Sequence, residues 1–170
     1  MPNWCSNWTH FRHSDKLEVE RLKAAGEAGN LFAEFVPNPA GEDSEDWYAH
    51  NTTEWGTKWD AGIQSDNPIE FDSGDNLYTL SASFDTAWSP PLAFYEHLQN
   101  QGWQIDAYYF ESGMNFCGKW SDGFDDYYDI PETAEEAADL LPEDLEEVFD
   151  ICQMLHDREE ENENEDEDDA

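Results

Sequence analysis

From Leu77 to Phe84 the residues alternate, with Tyr78, Leu80, Ala82 and Phe84 on one side and Thr79, Ser81 and Ser83 on the other, the period-2 pattern of a half-buried strand. Ser89 then precedes Pro90, and a hydroxyl N-cap followed by proline at the first helical position predicts a helix that Gly102 closes. Trp103, Ile105, Ala107 and Tyr109 alternate again as a return strand. A strand, a Trp-bearing turn, a helix and a second strand, in that order, make one half of an α+β layer.

The N-terminus repeats the plan. In Asn3 to Phe11, Trp4, Ser6, Trp8 and His10 oppose Cys5, Asn7, Thr9 and Phe11, so both faces are partly apolar, as an interior strand requires. Ser14 is the expected cap of a helix whose Leu17, Val19, Leu22 and Ala25 point inward. Trp47 to Asp60 is read as carrying a strand ending in EWGTKWD. Met114, Phe116, Gly118 and Trp120 return from a Ser112-Gly113 turn to form a hairpin, and Ser121 to Asp129 is read as a loop. Two helices are expected after it, Pro131 to Leu141 and Pro142 to His156. In the first, Ala134, Ala137, Ala138 and Leu141 face inward; in the second, Leu145, Val148, Phe149, Cys152 and Leu155 do so.

Charge decides what such a scaffold can meet. The chain holds 42 acidic and 7 basic residues, a net charge of −35, which repels nucleic acid and anionic membranes and attracts basic surfaces. Positions 157–170 contain ten acids and one base, Arg158, leaving a body with 32 acids, 6 bases and a net charge of −26. A disordered acidic chain lacks aromatics, whereas this one is 15% aromatic, enough apolar surface to collapse against its own repulsion. Residues 1–156 are thus expected to form a single domain, with a helical extension from about 131, and 157–170 a disordered acidic tail. No apolar run approaches ~20 residues and no signal segment opens the chain, so a soluble, cytoplasmic protein with reduced cysteines is expected.

Four segments, MPNWCSN at the start, EWGTKWD at Glu54 to Asp60, FDTAWSPP at Phe84 to Pro91 and FCGKW at Phe116 to Trp120, together resemble the YubB-type ferredoxin-like domain family of plasmid- and phage-encoded proteins. The resemblance covers Met1 to Trp120. It implies a ferredoxin-like (split βαβ) antiparallel sheet with helices on one face, and a mobile-element origin in a host cell. It implies no activity. Within its motifs Trp55, Gly56, Lys58, Trp59, Asp60, Asp85 and Trp88 are expected to be architectural, with the tryptophans partly buried and Lys58 paired to a carboxylate.

The residues offer little catalytic chemistry. His10 and His13, with Cys5 and Cys117, lack the spacing of a metal site, no cysteine has a nucleophile's context, and Asp122 to Asp129 fails the calcium-loop spacing. No catalytic residue, metal or cofactor is expected, and the chain is read as non-enzymatic.

The body charge of −26 equals that on ~44 Å of duplex DNA, which carries one charge per ~1.7 Å, and a domain of this size is ~40 Å across. That matches a DNA mimic acting on a basic nucleic-acid-binding host protein, such as a defence or regulatory factor. The expected contact residues are Glu132, Glu135, Glu136 and Asp139 on the first helix and Glu143, Glu146, Glu147 and Asp150 on the second, with Asp122, Asp125, Asp126 and Asp129 beside them. The alternatives are a salt-adapted acidic interaction module, and a small-molecule or glycan-binding or hydrolytic protein using the Trp- and carboxylate-lined motifs.

Overall fold

The computed structural model describes residues 1–64 and 66–168. Six antiparallel strands form one open sheet in the order β2-β3-β1-β4-β5-β6. β1 (Trp4–His13) is interior, pairing with β3 (Leu77–Ala87) on one side and β4 (Gln104–Glu111) on the other. β2 (Glu70–Asp72) borders β3, and β5 (Phe116–Ser121) and β6 (Phe124–Asp129) extend the other side. Odd residues of β1 and even residues of β3 point to the same face, where Phe11, Leu80, Ala82, Phe84, Ile105, Ala107 and Trp120 meet α1 (Lys16–Glu27), α2 (Leu31–Phe35) and α4 (Leu92–Asn100) in the main core.

The opposite face is covered only at one end. α5 (Ala134–Leu140), α6 (Glu143–Phe149) and α7 (Ile151–Asp168) close a second core of Cys117, Ile130, Ala137, Leu141, Leu145, Ile151 and Leu155, with Tyr108 and Phe110 of β4 and Tyr128 of β6 packed against it. Ser6, Ser83 and Asp85, on the β3–β1 half, border an open groove. The expected single covered face is therefore corrected to one full layer and one half layer.

Other expectations change for local reasons. Trp47 to Asp60 contains no strand: a short helix α3 (Trp47–His50) runs into a π-helical turn, Asn51–Trp55, which Gly56 ends at φ 84. Helix α1 is capped by Asp15, whose carboxylate accepts from Leu17 N at 2.9 Å, rather than by Ser14, and Leu17 is exposed. Ser89 does not cap α4; its hydroxyl donates to the Gly56 carbonyl at 2.6 Å, and the helix begins at Leu92. The supposed loop at 122–129 is β6, turned by Asp122 and Gly123 at φ 51 and 85. The last two helices are three, because Asp150 adopts a left-handed φ of 53 and breaks the second.

Where a disordered tail is expected from position 157, α7 continues to Asp168; positions 169 and 170 lie outside the described residues. The first half of α7 is anchored: Ile151 and Leu155 enter the second core, and Glu159 accepts from Ala134 N at 3.0 Å, capping α5 from a distance. Beyond it helical continuation needs only propagation, since the nucleus already exists.

Candidate functional site

The acidic surface is built on ordered elements. From Asp122 to Asp168 the chain holds 22 acids and one base, and that base, Arg158, donates to the Asn115 amide oxygen at 3.5 Å. Thr133 caps α5 by accepting from Glu136 N at 3.3 Å, which fixes the rotation that buries Ala137 and turns Glu132, Glu135, Glu136 and Asp139 to solvent. Ala138, expected inward, is exposed. On α6, Leu145 is buried and Glu143 and Glu147 are exposed, as is Asp150 at its end.

Glu146 leaves the predicted stripe: both its oxygens accept from Cys152 N, at 2.9 and 3.1 Å, so it caps α7 across the break. Asp144, which the helical pattern passes over, forms the tie between α6 and the sheet through Lys119 at 2.7 Å. Asp122, in the turn before β6, and Asp125, Asp126 and Asp129 on the strand are exposed. The Tyr109 hydroxyl donates to Asp125 at 2.6 Å, yet partial burial, with Asp126 adjacent, holds the Asp125 carboxyl above the usual carboxylate range.

Among the described residues five of the seven Lys and Arg side chains are in ion pairs: Arg12 with Asp106, Lys16 with Glu20, Arg21 with Glu18 and Glu34, Lys23 with Glu27, and Lys119 with Asp144. Lys58 forms no ion pair among the described residues; its ammonium lies 4.5 Å from the Trp59 ring centroid. The expected carboxylate partner is replaced by an aromatic face, which attracts a cation by its quadrupole.

EWGTKWD and FDTAWSPP meet. Thr57 donates to the Ala87 carbonyl at 2.9 Å and Ser89 to that of Gly56, and a Cβ on Gly56 would stand 3.2 Å from Leu92 N. Trp55 is buried and donates to the Val36 carbonyl at 2.8 Å. Asp60 accepts from the amides of Phe32, Ala33 and Ala61, capping α2 through space, and burial still raises its carboxyl. Trp59 and Trp88 are 38% and 47% exposed, and Trp88 sits at φ 72. Trp4, 50% exposed, packs 6.2 Å from Trp59. A groove of about 500 Å³ runs along this open face, lined by Trp4, Ser6, Trp8, Gln64, Asp85 and Phe149.

Among the described residues no three His, Cys, Asp or Glu side chains converge as metal ligands. His10 is bonded to Ser81 at 2.7 Å, His13 accepts from Asp15 N and lies against Trp103, and Cys5 and Cys117 are buried with thiols pushed up to about 12 by desolvation. The structural roles of three carboxylates are absent from the sequence reading. Glu111 is buried and accepts from the turn amides of Gly113 and Met114, Glu54 meets His97 at 2.8 Å, and Glu146 caps α7. Only the Glu111 spacing, just ahead of a glycine turn, is a signal that sequence could have offered.

The fold is a mixed α+β arrangement with an open six-stranded antiparallel sheet, half-covered on its second face by α5, α6 and α7. No protein-family model, no curated protein and no solved structure matches the chain. No helix among the described residues is long and apolar enough to cross a membrane.

Proposed function

We propose that the protein is a non-enzymatic acidic module of a mobile element that occupies the nucleic-acid-binding surface of a basic host protein, such as a defence factor, by presenting carboxylates where phosphates would lie. The observation that carries the reading is the exposed charge of β6, α5 and α6, where Glu132, Glu135, Glu136, Asp139, Glu143, Glu147 and Asp150 are exposed on or directly beside two short helices. Charges held by a rigid scaffold meet a rigid groove without a large ordering cost. Carboxylates one helical turn apart lie ~6 Å apart along the axis, near the spacing of successive phosphates. A ferredoxin-like reading of the body is supported by the order β2-β3-β1-β4 with α1 and α4 in the crossovers; β5, β6 and α5 to α7 extend it.

The test is capture from host lysate at low and high salt, followed by competition with duplex DNA. Mimicry requires a basic partner, steep loss of binding with salt and mutual exclusion with DNA. A partner held equally well at high salt, or one that binds the protein and DNA together, would overturn it in favour of a salt-adapted acidic interaction module. A second reading, small-molecule or glycan binding, is favoured by one feature: the half-exposed Trp4 beside Ser6, Gln64 and Asp85 in the open-face groove. Saturable binding in a glycan and nucleotide screen, lost in Trp4→Ala, would bring that reading forward.

A further inference from the structure

β6 is the last strand of the sheet. It pairs with β5 alone, and among the described residues no strand runs along its outer side. Asp122 and Gly123, both left-handed, form the two-residue turn into it. In such hairpins the flanking residues, here Ser121 and Phe124, exchange both main-chain hydrogen bonds. Even-numbered residues of β6 therefore bond to β5, a series that the Ile130 N–H continues by donating to the Asn115 carbonyl at 2.8 Å. Asp125, Tyr127 and Asp129 aim their N–H and C=O groups away from the sheet.

Every β6 residue except Tyr128 is exposed, and Phe124 and Tyr127 offer apolar surface at 77% and 52% exposure. A free edge of this kind is a template for another strand, which proteins commonly blunt with lysine, proline, a bulge or a covering element. Among the described residues β6 has no lysine, no proline and no covering strand, and its blunting charges are all acidic. It carries Asp125, Asp126 and Asp129 instead, with Asp122 in the turn. A second copy of this chain would set −35 against −35, so self-pairing is opposed by repulsion, and the same field attracts a cationic strand.

We propose that β6 is a strand-addition site for an extended segment of lysine or arginine alternating with apolar residues, contributed by the basic partner. The inference rests on the reading of a basic partner given above and adds how it is gripped: main-chain hydrogen bonds to Asp125, Tyr127 and Asp129, with cationic side chains beside Asp125 and Asp129 on one face of the strand and apolar ones against Phe124 on the other.

The probe is a synthetic peptide of alternating lysine and valine, titrated into the full-length, isotope-labelled protein. On saturation, amide exchange at Asp125, Tyr127 and Asp129 should slow by ~tenfold or more, because these donors become bonded. Tyr127→Pro removes an outward N–H where proline is tolerated, on a strand edge, and should weaken binding by ~tenfold, the loss of about one to two hydrogen bonds. The same contrast is drawn with a peptide N-methylated at every second residue, which leaves the protein untouched should the proline loosen β6. Equal binding of the methylated and plain peptides, or slowed exchange nowhere in β6, would end the inference.

The earlier reading fails separately. It predicts that changing Glu132, Glu135, Glu136 and Asp139 to their amides releases a DNA-binding partner. Loss by that variant but not by Tyr127→Pro leaves the acidic surface standing without strand addition.

Discussion

Trp88 separates local conformation from burial. It lies in FDTAWSPP at φ 72, a left-handed backbone that costs a non-glycine residue ~1–2 kcal/mol, and its side chain is 47% exposed. About half of a tryptophan's ~250 Å² is then covered, or ~130 Å². At ~25 cal/mol per Å² that is ~3 kcal/mol as an upper bound, nearer ~2 once the compactness of the unfolded chain is allowed for. Trp88→Ala should therefore cost ~2 kcal/mol and keep the backbone strain, whereas Trp88→Gly loses the same contacts but relieves the strain and should be ~1 kcal/mol more stable than the alanine variant. Trp120 is the reference: it is 2% exposed and packs on Tyr95 with ring centroids 5.5 Å apart, so Trp120→Ala should cost ~4 kcal/mol. Urea unfolding followed by far-ultraviolet circular dichroism gives all three values. A Trp88→Ala loss as large as that of Trp120→Ala, or a glycine variant less stable than the alanine one, would refute the reasoning.

Glu146→Ala should cost ~1–2 kcal/mol through the lost cap on α7, against a change within ~0.5 kcal/mol for its exposed neighbour Glu147→Ala; the two melting curves decide. Burial raises the carboxyls of Asp60 and Asp125 in the folded state, so the native protein binds protons more readily than the unfolded chain above their ordinary value near ~4. Stability from these groups should therefore grow as pH falls from neutrality toward that value, helped by relief of the net −35 charge, and Tm at about pH 5 should exceed Tm at about pH 8. Burial pushes Asp106 up, but Ser121 and Arg12 pull it net below the usual range; its contribution is present above ~4 and is lost on further acidification, which should turn the curve over. Buried Cys5 and Cys117, with thiols near 12, should resist alkylation in the native protein at about pH 8 and react on unfolding, as mass spectrometry would record. Helix signals for 160–168 in backbone NMR should strengthen with added salt, since screening weakens repulsion between carboxylates at i and i+4.

Much of the sheet was legible because a strand with one covered face writes a period of two into its own residues. Leu77 to Phe84, Asn3 to Phe11 and Trp103 to Tyr109 did so. β6 was misread although Asp122-Gly123 is a turn signal, because its aspartates resemble loop composition and its edge position leaves almost no side chain buried to impose a pattern. The π-helical turn at Asn51–Trp55 is held by partners outside it, the Val36 carbonyl on Trp55 and the Lys58 carbonyl on Asn51, neither of which is apparent within the segment itself.

The charge total, the aromatic supply that permits collapse and the amphipathic stripes of α5 and α6 are properties of the chain, additive and readable residue by residue. Which carboxylates stay free is not additive. Glu146, Glu111 and Asp60 accept from backbone amides and Asp144 pairs with Lys119, while Glu132, Glu135 and Asp139 are exposed with no partner among the described residues, because hydrogen-bond partners are set by which face each element presents after packing. Tertiary structure alone also decided that the second sheet face is half open and that β6 ends the sheet with no strand on its outer side among the described residues, since a strand's neighbours are chosen by the whole assembly and not by its own sequence.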